Sequence, residues 1–182
     1  MRYPRFLRFH RYRRLMLLLG LVVLASVSLP AQTTYLVVRH ADRGPEEPDA
    51  ALTAEGHLRA AALAGLLGNT RITRIFTTEY QRTRDTAAPT ARHHGVKPVV
   101  VPQAEFDALT RALLELPASG ECCLVVGHRS TVPRIVRALS GLDIPPLGSS
   151  EFSCLIVVTR WPDGRASVLP LRVELPATPP AS

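Results

Sequence analysis

The chain has 182 residues, 46% of them hydrophobic and 20% charged, which excludes disorder throughout and suits one compact domain. Its net charge of +7 is unevenly placed: Arg2, Arg5, Arg8, Arg11, Arg13 and Arg14 lie in the first 31 residues, which hold no Asp or Glu, so the remainder sets 16 basic side chains against 15 acidic ones. A body near neutrality offers no broad counterion-releasing surface, which disfavours nucleic-acid binding.

The first segment reads as a secretory leader, with the arginines ending at Arg14, an uncharged apolar run over residues 15–29, and a cleavage position after Ala31. The run is shorter than the roughly 20 residues that span a bilayer comfortably, so removal is expected. Retention as an N-terminal anchor is the alternative, and only then is the membrane a partner. The expected organisation is a leader over 1–31, a domain over 32–175 in the periplasm or outside the cell, and a disordered Pro-, Ala- and Ser-rich tail over 176–182.

Residues 35–39 (YLVVR) are an apolar, β-branched run suited to a buried strand, and a polar loop with Gly44, Pro45 and Pro48 follows. Thr53 is placed to cap a helix whose Ala54, Leu58, Ala61, Ala62 and Leu66 recur at helical spacing, ending near Gly68. A strand over 72–77, a helix over about 79–94 with Pro89 inside and Gly95 at its end, a strand over 97–101 and a helix over 105–116 come next. Residues 124–127, preceded by Cys122 and Cys123, form a strand that runs straight into His128. Thr131 or Ser130 is expected to cap the next helix, with Pro133 in its first turn and Gly141 at its end. Two closing strands, 152–159 and 166–173, flank a turn at Pro162, Asp163 and Gly164. The alternation implies an α/β fold, a three-layer α/β/α sandwich with a mostly parallel sheet and an antiparallel hairpin at or near one edge.

Cys122, Cys123 and Cys154 match no metal or redox spacing. Neighbours in one strand, Cys122 and Cys123 should point to opposite faces, and a bridge to Cys154 would need adjacent strands. Adjacent His93 and His94 at a helix end read as compensating its dipole.

His40 and His128 stand apart because each follows a strand directly, and ligands bind at the C-terminal ends of strands in open α/β sheets. Arg39 precedes His40, Arg43 follows it by three, and Arg82 opens the helix after the second strand. Guanidinium forks match phosphate oxygens, and the helix after His128 could add backbone N–H groups.

These motifs resemble the histidine phosphatase superfamily, the phosphoglycerate-mutase-like group. VVRHADR is similar to its Arg-His-Gly motif, LTAEG (52–56) to the opening of its first helix, TTEYQRTRDTA (77–87) to its second arginine motif, and VVGHRSTVP (125–133) to its second histidine motif. The resemblance runs from about Thr34 to the last strand, and is closest to small phosphohistidine-phosphatase-like members, some of which share the Ala41 that replaces the motif's Gly.

The resemblance implies that His40 is the nucleophile that becomes phosphohistidine, that Arg39, Arg82 and His128 complete the phosphate-binding set, and that Arg43 adds a contact. It implies no metal or cofactor. The family's leaving-group acid maps to the region of Glu105 and Asp107, Glu105 being the preferred candidate, although some small members lack this acid. The expected activity is hydrolysis of phosphomonoesters or phosphoramidates on a phosphorylated small molecule, protein or envelope glycolipid. A non-catalytic phosphate- or phosphoprotein-binding module and a phosphoglycerate-type mutase are the alternatives. Arg129 and Ser130 either line the pocket or are simply exposed.

Overall fold

The computed structural model describes residues 32–45, 49–117 and 120–175, so the expected leader and tail lie outside the described residues. The sheet is built of β1 (Thr33–Arg39), β2 (Arg74–Thr77), β3 (Val99–Val100), β4 (Cys122–Gly127), β5 (Cys154–Arg160) and β6 (Ala166–Arg172), in the order β3-β2-β4-β1-β5-β6. The first four run parallel, while β5 pairs antiparallel with both β1 and β6. The closing hairpin thus forms the sheet's far edge, as expected.

Both sheet faces are covered, which is why β1 reads as a continuous apolar run rather than an alternating one. Tyr35, Val37, Cys123 and Val125 enter one core, together with Leu109 and Leu113 of α3 (Phe106–Leu114) and Val132, Ile135, Val136 and Leu139 of α4 (Val132–Ser140). Leu36, Val38, Leu124 and Val126 enter the other, with Leu63 and Leu67 of α1 (Ala54–Leu67) and Ala87 of α2 (Gln81–His94). The alternate residues of each strand divide between two helical layers, giving the three-layer α/β/α sandwich. Each fully buried aliphatic side chain contributes about 1.5–3 kcal/mol to the packing.

Thr53 caps α1 as expected, its Oγ1 accepting from Gly56 N at 3.1 Å. The buried stripe of α1 is Gly56, Ala60, Leu63 and Leu67, whereas Leu58 and Leu66 of the expected apolar stripe are 63% and 55% exposed. The second half of this helix is apolar on nearly every side, so spacing alone selects no face. Close approach selects it, because the smallest residues, Gly56 and Ala60, lie where the loop after β1 presses on the helix. Thr131 occupies the position before α4 without capping it, and its Oγ1 instead accepts from His128 N at 2.8 Å. The helix over 105–116 starts later, as a 3-10 turn at Gln103–Glu105 leads into α3.

Cys122 and Cys123 do face opposite layers. β1 lies between β4 and β5, so Cys123 and Cys154 are at least two strand spacings apart, more than roughly 9.6 Å, and Cys123 stands across from Val158 rather than Cys154. That exceeds the Cα separation a disulfide tolerates, and the three thiols are free. Burial pushes the Cys123 thiol up to about 12 and Cys122 to about 11, so neither is a thiolate nucleophile at neutral pH.

Candidate active site

The sheet register itself brings the two histidines together. Arg39 and Gly127 are partners at the ends of adjacent parallel strands, so His40 and His128, the next residues, emerge side by side. His40 N donates to Gly127 O at 2.9 Å, and the ring centroids lie 5.4 Å apart, edge to face. Gly127 has to be small: a Cβ there would come within 2.8 Å of the Thr131 Oγ1 that holds His128 N.

His40 is 4% exposed, and its Nδ1 lies 2.8 Å from Ala41 O. A carbonyl oxygen only accepts, so Nδ1 carries the proton and Nε2 keeps its lone pair. Burial pushes the imidazole down to about 3, with the His128, Arg39 and Arg82 charges adding to burial and the Ala41 carbonyl opposing it. His40 is therefore a neutral imidazole with a free Nε2 at physiological pH. Ala41 stands without strain where the motif it resembles has glycine, since no non-glycine residue described has a positive φ, and its methyl packs with Leu52 and Ala60.

Arg39 is fixed by the loop that leads into β5. Its Nη1 donates to the carbonyls of Gly148 (3.0 Å), Ser149 (2.9 Å) and Glu151 (3.2 Å), and its Cζ sits 4.0 Å from the Phe152 ring centroid. Burial, then the Arg129 and Arg43 cations, lower its pKa to about 10, which leaves it charged at neutral pH. Arg82 opens α2 with its Cζ 4.2 Å from the Tyr80 ring centroid. Burial and the Arg43 charge lower it in turn. Thr86 ties this helix to the loop after β1, accepting from Ala41 N at 2.9 Å and donating to Arg82 O at 2.7 Å. His128 is 6% exposed, its Nε2 is 3.0 Å from Thr78 Oγ1, and burial followed by Arg82 and Arg39 lowers it to about 4.

Arg39, His40, Arg43, Arg82 and His128 line one cavity of about 610 Å³, with Gln103, Arg129, Ser130, Ser149 and Phe152 among the other lining residues. Glu105 is not brought to it. That carboxyl is exposed at the 3-10 turn, and Asp107 is exposed on α3. The turn carries Gln103 to the cavity instead, held by its N–H donating to Glu79 Oε2 at 2.8 Å. The first amides of α4 are also engaged internally, since Thr131 N and Val132 N both donate to His128 O. Sequence reasoning missed Phe152 and the 148–151 carbonyls, which carry no charge signature, and Thr78, whose signal was its place in the second arginine motif. Among the described residues no group of three or more His, Cys, Asp or Glu side chains is placed to hold a metal ion.

Residues 31–107 match the histidine phosphatase superfamily (branch 1). A comparison with curated protein sequences gives no match. Among solved structures, the protein histidine phosphatase SixA in complex with tungstate aligns at a TM-score of 0.62 and 18% identity, covering 76% of this chain and 96% of its own. A mycobacterial glucosyl-3-phosphoglycerate phosphatase aligns at 0.63 and 14%, covering 79% and 100%. Phosphoglycerate mutase from Plasmodium falciparum aligns at 0.60 and 15%, covering 84% and 99%. The family match is thus confined to residues 31–107, while the described residues as a whole share the phosphoglycerate-mutase-like fold of these structures.

Proposed function

We propose that the protein is an exported phosphatase that hydrolyses phosphomonoesters or phosphoramidates through a phosphohistidine on His40. The observation that carries the reading is the His40 Nδ1 contact to Ala41 O, which leaves a neutral Nε2 lone pair beside a cavity lined by Arg39, Arg43 and Arg82. Binding phosphate would not require a nucleophile held in this tautomer, which counts against the non-catalytic module. A mutase must retain its intermediate between two transfers, and the exposed Arg129, Ser130 and Ser149 on this cavity's wall argue against such enclosure.

In the proposed reaction Nε2 attacks phosphorus in line as the bond to the leaving group breaks. The guanidiniums neutralise the equatorial oxygens, so positioning and electrostatics supply most of the acceleration. Water then attacks phosphorus, the N–P bond breaks, and inorganic phosphate leaves with His40 restored. With Glu105 away from the cavity, leaving groups that need little protonation are favoured: activated esters, and phosphoramidates such as phosphohistidine. The substrate is proposed to be a phosphorylated small molecule, protein or envelope glycolipid, and the export address rests on the arginine-rich, apolar first 31 residues.

The test is hydrolysis of an activated aryl phosphate by fractions of cells expressing the full chain, wild type beside His40→Ala. Activity present in the wild type and lowered at least about 10³-fold in the variant is expected, since the residual site can only bind and polarise. An inert, folded wild type would return the binding module to first place. Activity confined to the cytoplasmic fraction would overturn the export address alone.

A further inference from the structure

Behind His128 lies a chain of two hydroxyls whose hydrogens can be counted. Thr83 Oγ1 lies 2.8 Å from Tyr80 O and 3.1 Å from Thr78 O, and both are carbonyls that only accept. Its single proton therefore goes to a carbonyl. Thr83 Oγ1 is also 3.0 Å from Thr78 Oγ1, and the proton between these two oxygens must then belong to Thr78. Thr78 has spent its only proton, so the contact of 3.0 Å to His128 Nε2 is donated by the imidazole. The direction of the whole chain is set by its terminal carbonyl. All of it is buried: Thr78 is 5% exposed and Thr83 0%. A reversed or broken link would strand a polar group out of reach of water.

We propose that Thr78 and Thr83 are positioning residues that fix His128 as the Nε2–H tautomer, making Nδ1 the atom that accepts and returns the proton during phosphoryl transfer. The proposal rests on the phosphatase reading above and answers the question that Glu105 leaves open. Nδ1 has no hydrogen-bond partner among the described residues, and His128 lines the cavity. The other groups around the ring are unsuited to the task. His40 is the nucleophile, Arg39 and Arg82 are permanent cations, and the Tyr80 ring packs against the imidazole edge to face with centroids 5.4 Å apart.

The protons balance as follows. The ester enters as the monoanion and passes its P–OH proton to Nδ1. The bond from His40 Nε2 to phosphorus forms as the bond to the leaving oxygen breaks, and that oxygen takes the proton from Nδ1. Water then attacks phosphorus and gives a proton to Nδ1 while the N–P bond breaks, its electron pair returning to His40 Nε2. The proton finally departs with the phosphate, and His128 is neutral again.

The test is the nitrogen NMR spectrum of histidine-labelled protein at neutral pH. In the wild type, His128 is expected to show an unprotonated Nδ1. Thr83→Val removes the acceptor of Thr78's proton, so the Thr78 hydroxyl turns toward Nε2 and the tautomer inverts, with kcat on an aryl phosphate falling about 10²-fold. Thr83→Ser keeps the hydroxyl and is expected to retain both tautomer and rate, an outcome that lost packing alone would not produce. If Thr83→Val fails to fold, Thr78→Ala serves instead, leaving Nε2 without an acceptor and giving a mixture of tautomers. A wild-type His128 protonated on Nδ1, or an unchanged tautomer in Thr83→Val or Thr78→Ala, would overturn the proposal, as would inversion in Thr83→Ser. The spectrum needs no turnover, so failure of the phosphatase reading would show in the aryl phosphate assay while leaving the tautomer as it is.

Discussion

His40 and His128 are 4% and 6% exposed, and burial is the first cause of the fall of both imidazoles from 6.5 to about 3 and about 4. In the unfolded chain each takes up a proton near 6.5, while the folded protein declines it until far lower pH. Between these limits the unfolded state binds more protons. The contribution to stability is therefore fully present above pH 6.5 and is lost as pH falls toward 4, by at most about 1.4 kcal/mol per pH unit for each histidine. Urea denaturation is expected to show a lower midpoint at pH 5 than at pH 7, with a smaller drop in His40→Ala. An equal drop in both proteins would remove the buried, neutral His40. Arg39, His40 and His128 were legible in the sequence because each lies at or next to the end of a strand, and Arg43 and Arg82 because each lies in the segment that follows one. Glu105 was not, because its position depends on a 3-10 turn that rotates Gln103, rather than the carboxyl, toward the cavity.

Helix α1 shows how a contact with the site can override helix preference. A Cβ on Gly56 would sit 2.1 Å from Asp42 O, a carbonyl that also accepts from Thr53 N at 3.0 Å. Asp42 in turn holds Arg59 of the same helix at 2.7 Å. A Cβ on Gly65, nine residues further along, would meet nothing within 4 Å. Glycine to alanine in a helix interior ordinarily gains about 0.5–1 kcal/mol. Gly65→Ala is expected to keep that gain and melt higher. Gly56→Ala is expected to melt lower, because overpacking against a backbone oxygen costs about 1–3 kcal/mol, and to lose aryl phosphatase activity as the loop beside Ala41 shifts. Thermal melts of the two variants check opposite signs within one helix, and a rise in Gly56→Ala would contradict the close approach. The apolar spacing of Leu58 and Leu66 marks the helix but not its buried face, because such counting cannot register the absence of a side chain where two backbones meet.

At the scale of the molecule, the order of strands and helices was legible because uninterrupted apolar strands require cover on both faces, and helices must alternate with them to provide it. The wall of the cavity was less so, since the 148–151 segment acts through backbone carbonyls that any sequence would supply. That wall determines what the cavity can select. Beyond His40 and His128, the lining supplies Arg39, Arg43, Arg82 and Arg129 as cations, Phe152 as an apolar surface, and a few hydroxyl and amide groups. Cations attract phosphate without registering what is attached to it. Strong rejection, by about 10⁴–10⁵-fold, arises where an enclosed site hydrogen-bonds a particular substrate group and leaves its own polar atoms unpaired in the analogue. Here Arg129, Ser130 and Ser149 are exposed and can turn to water instead. Across a panel of small phosphomonoesters of unlike shape, kcat/KM is expected to vary by less than about 10²-fold, in the range that pocket fit alone supplies. Preference for one metabolite by about 10⁴-fold would mean that the cavity closes on its substrate, with Gln103, Ser130 or Ser149 the first residues to substitute in search of the contact responsible.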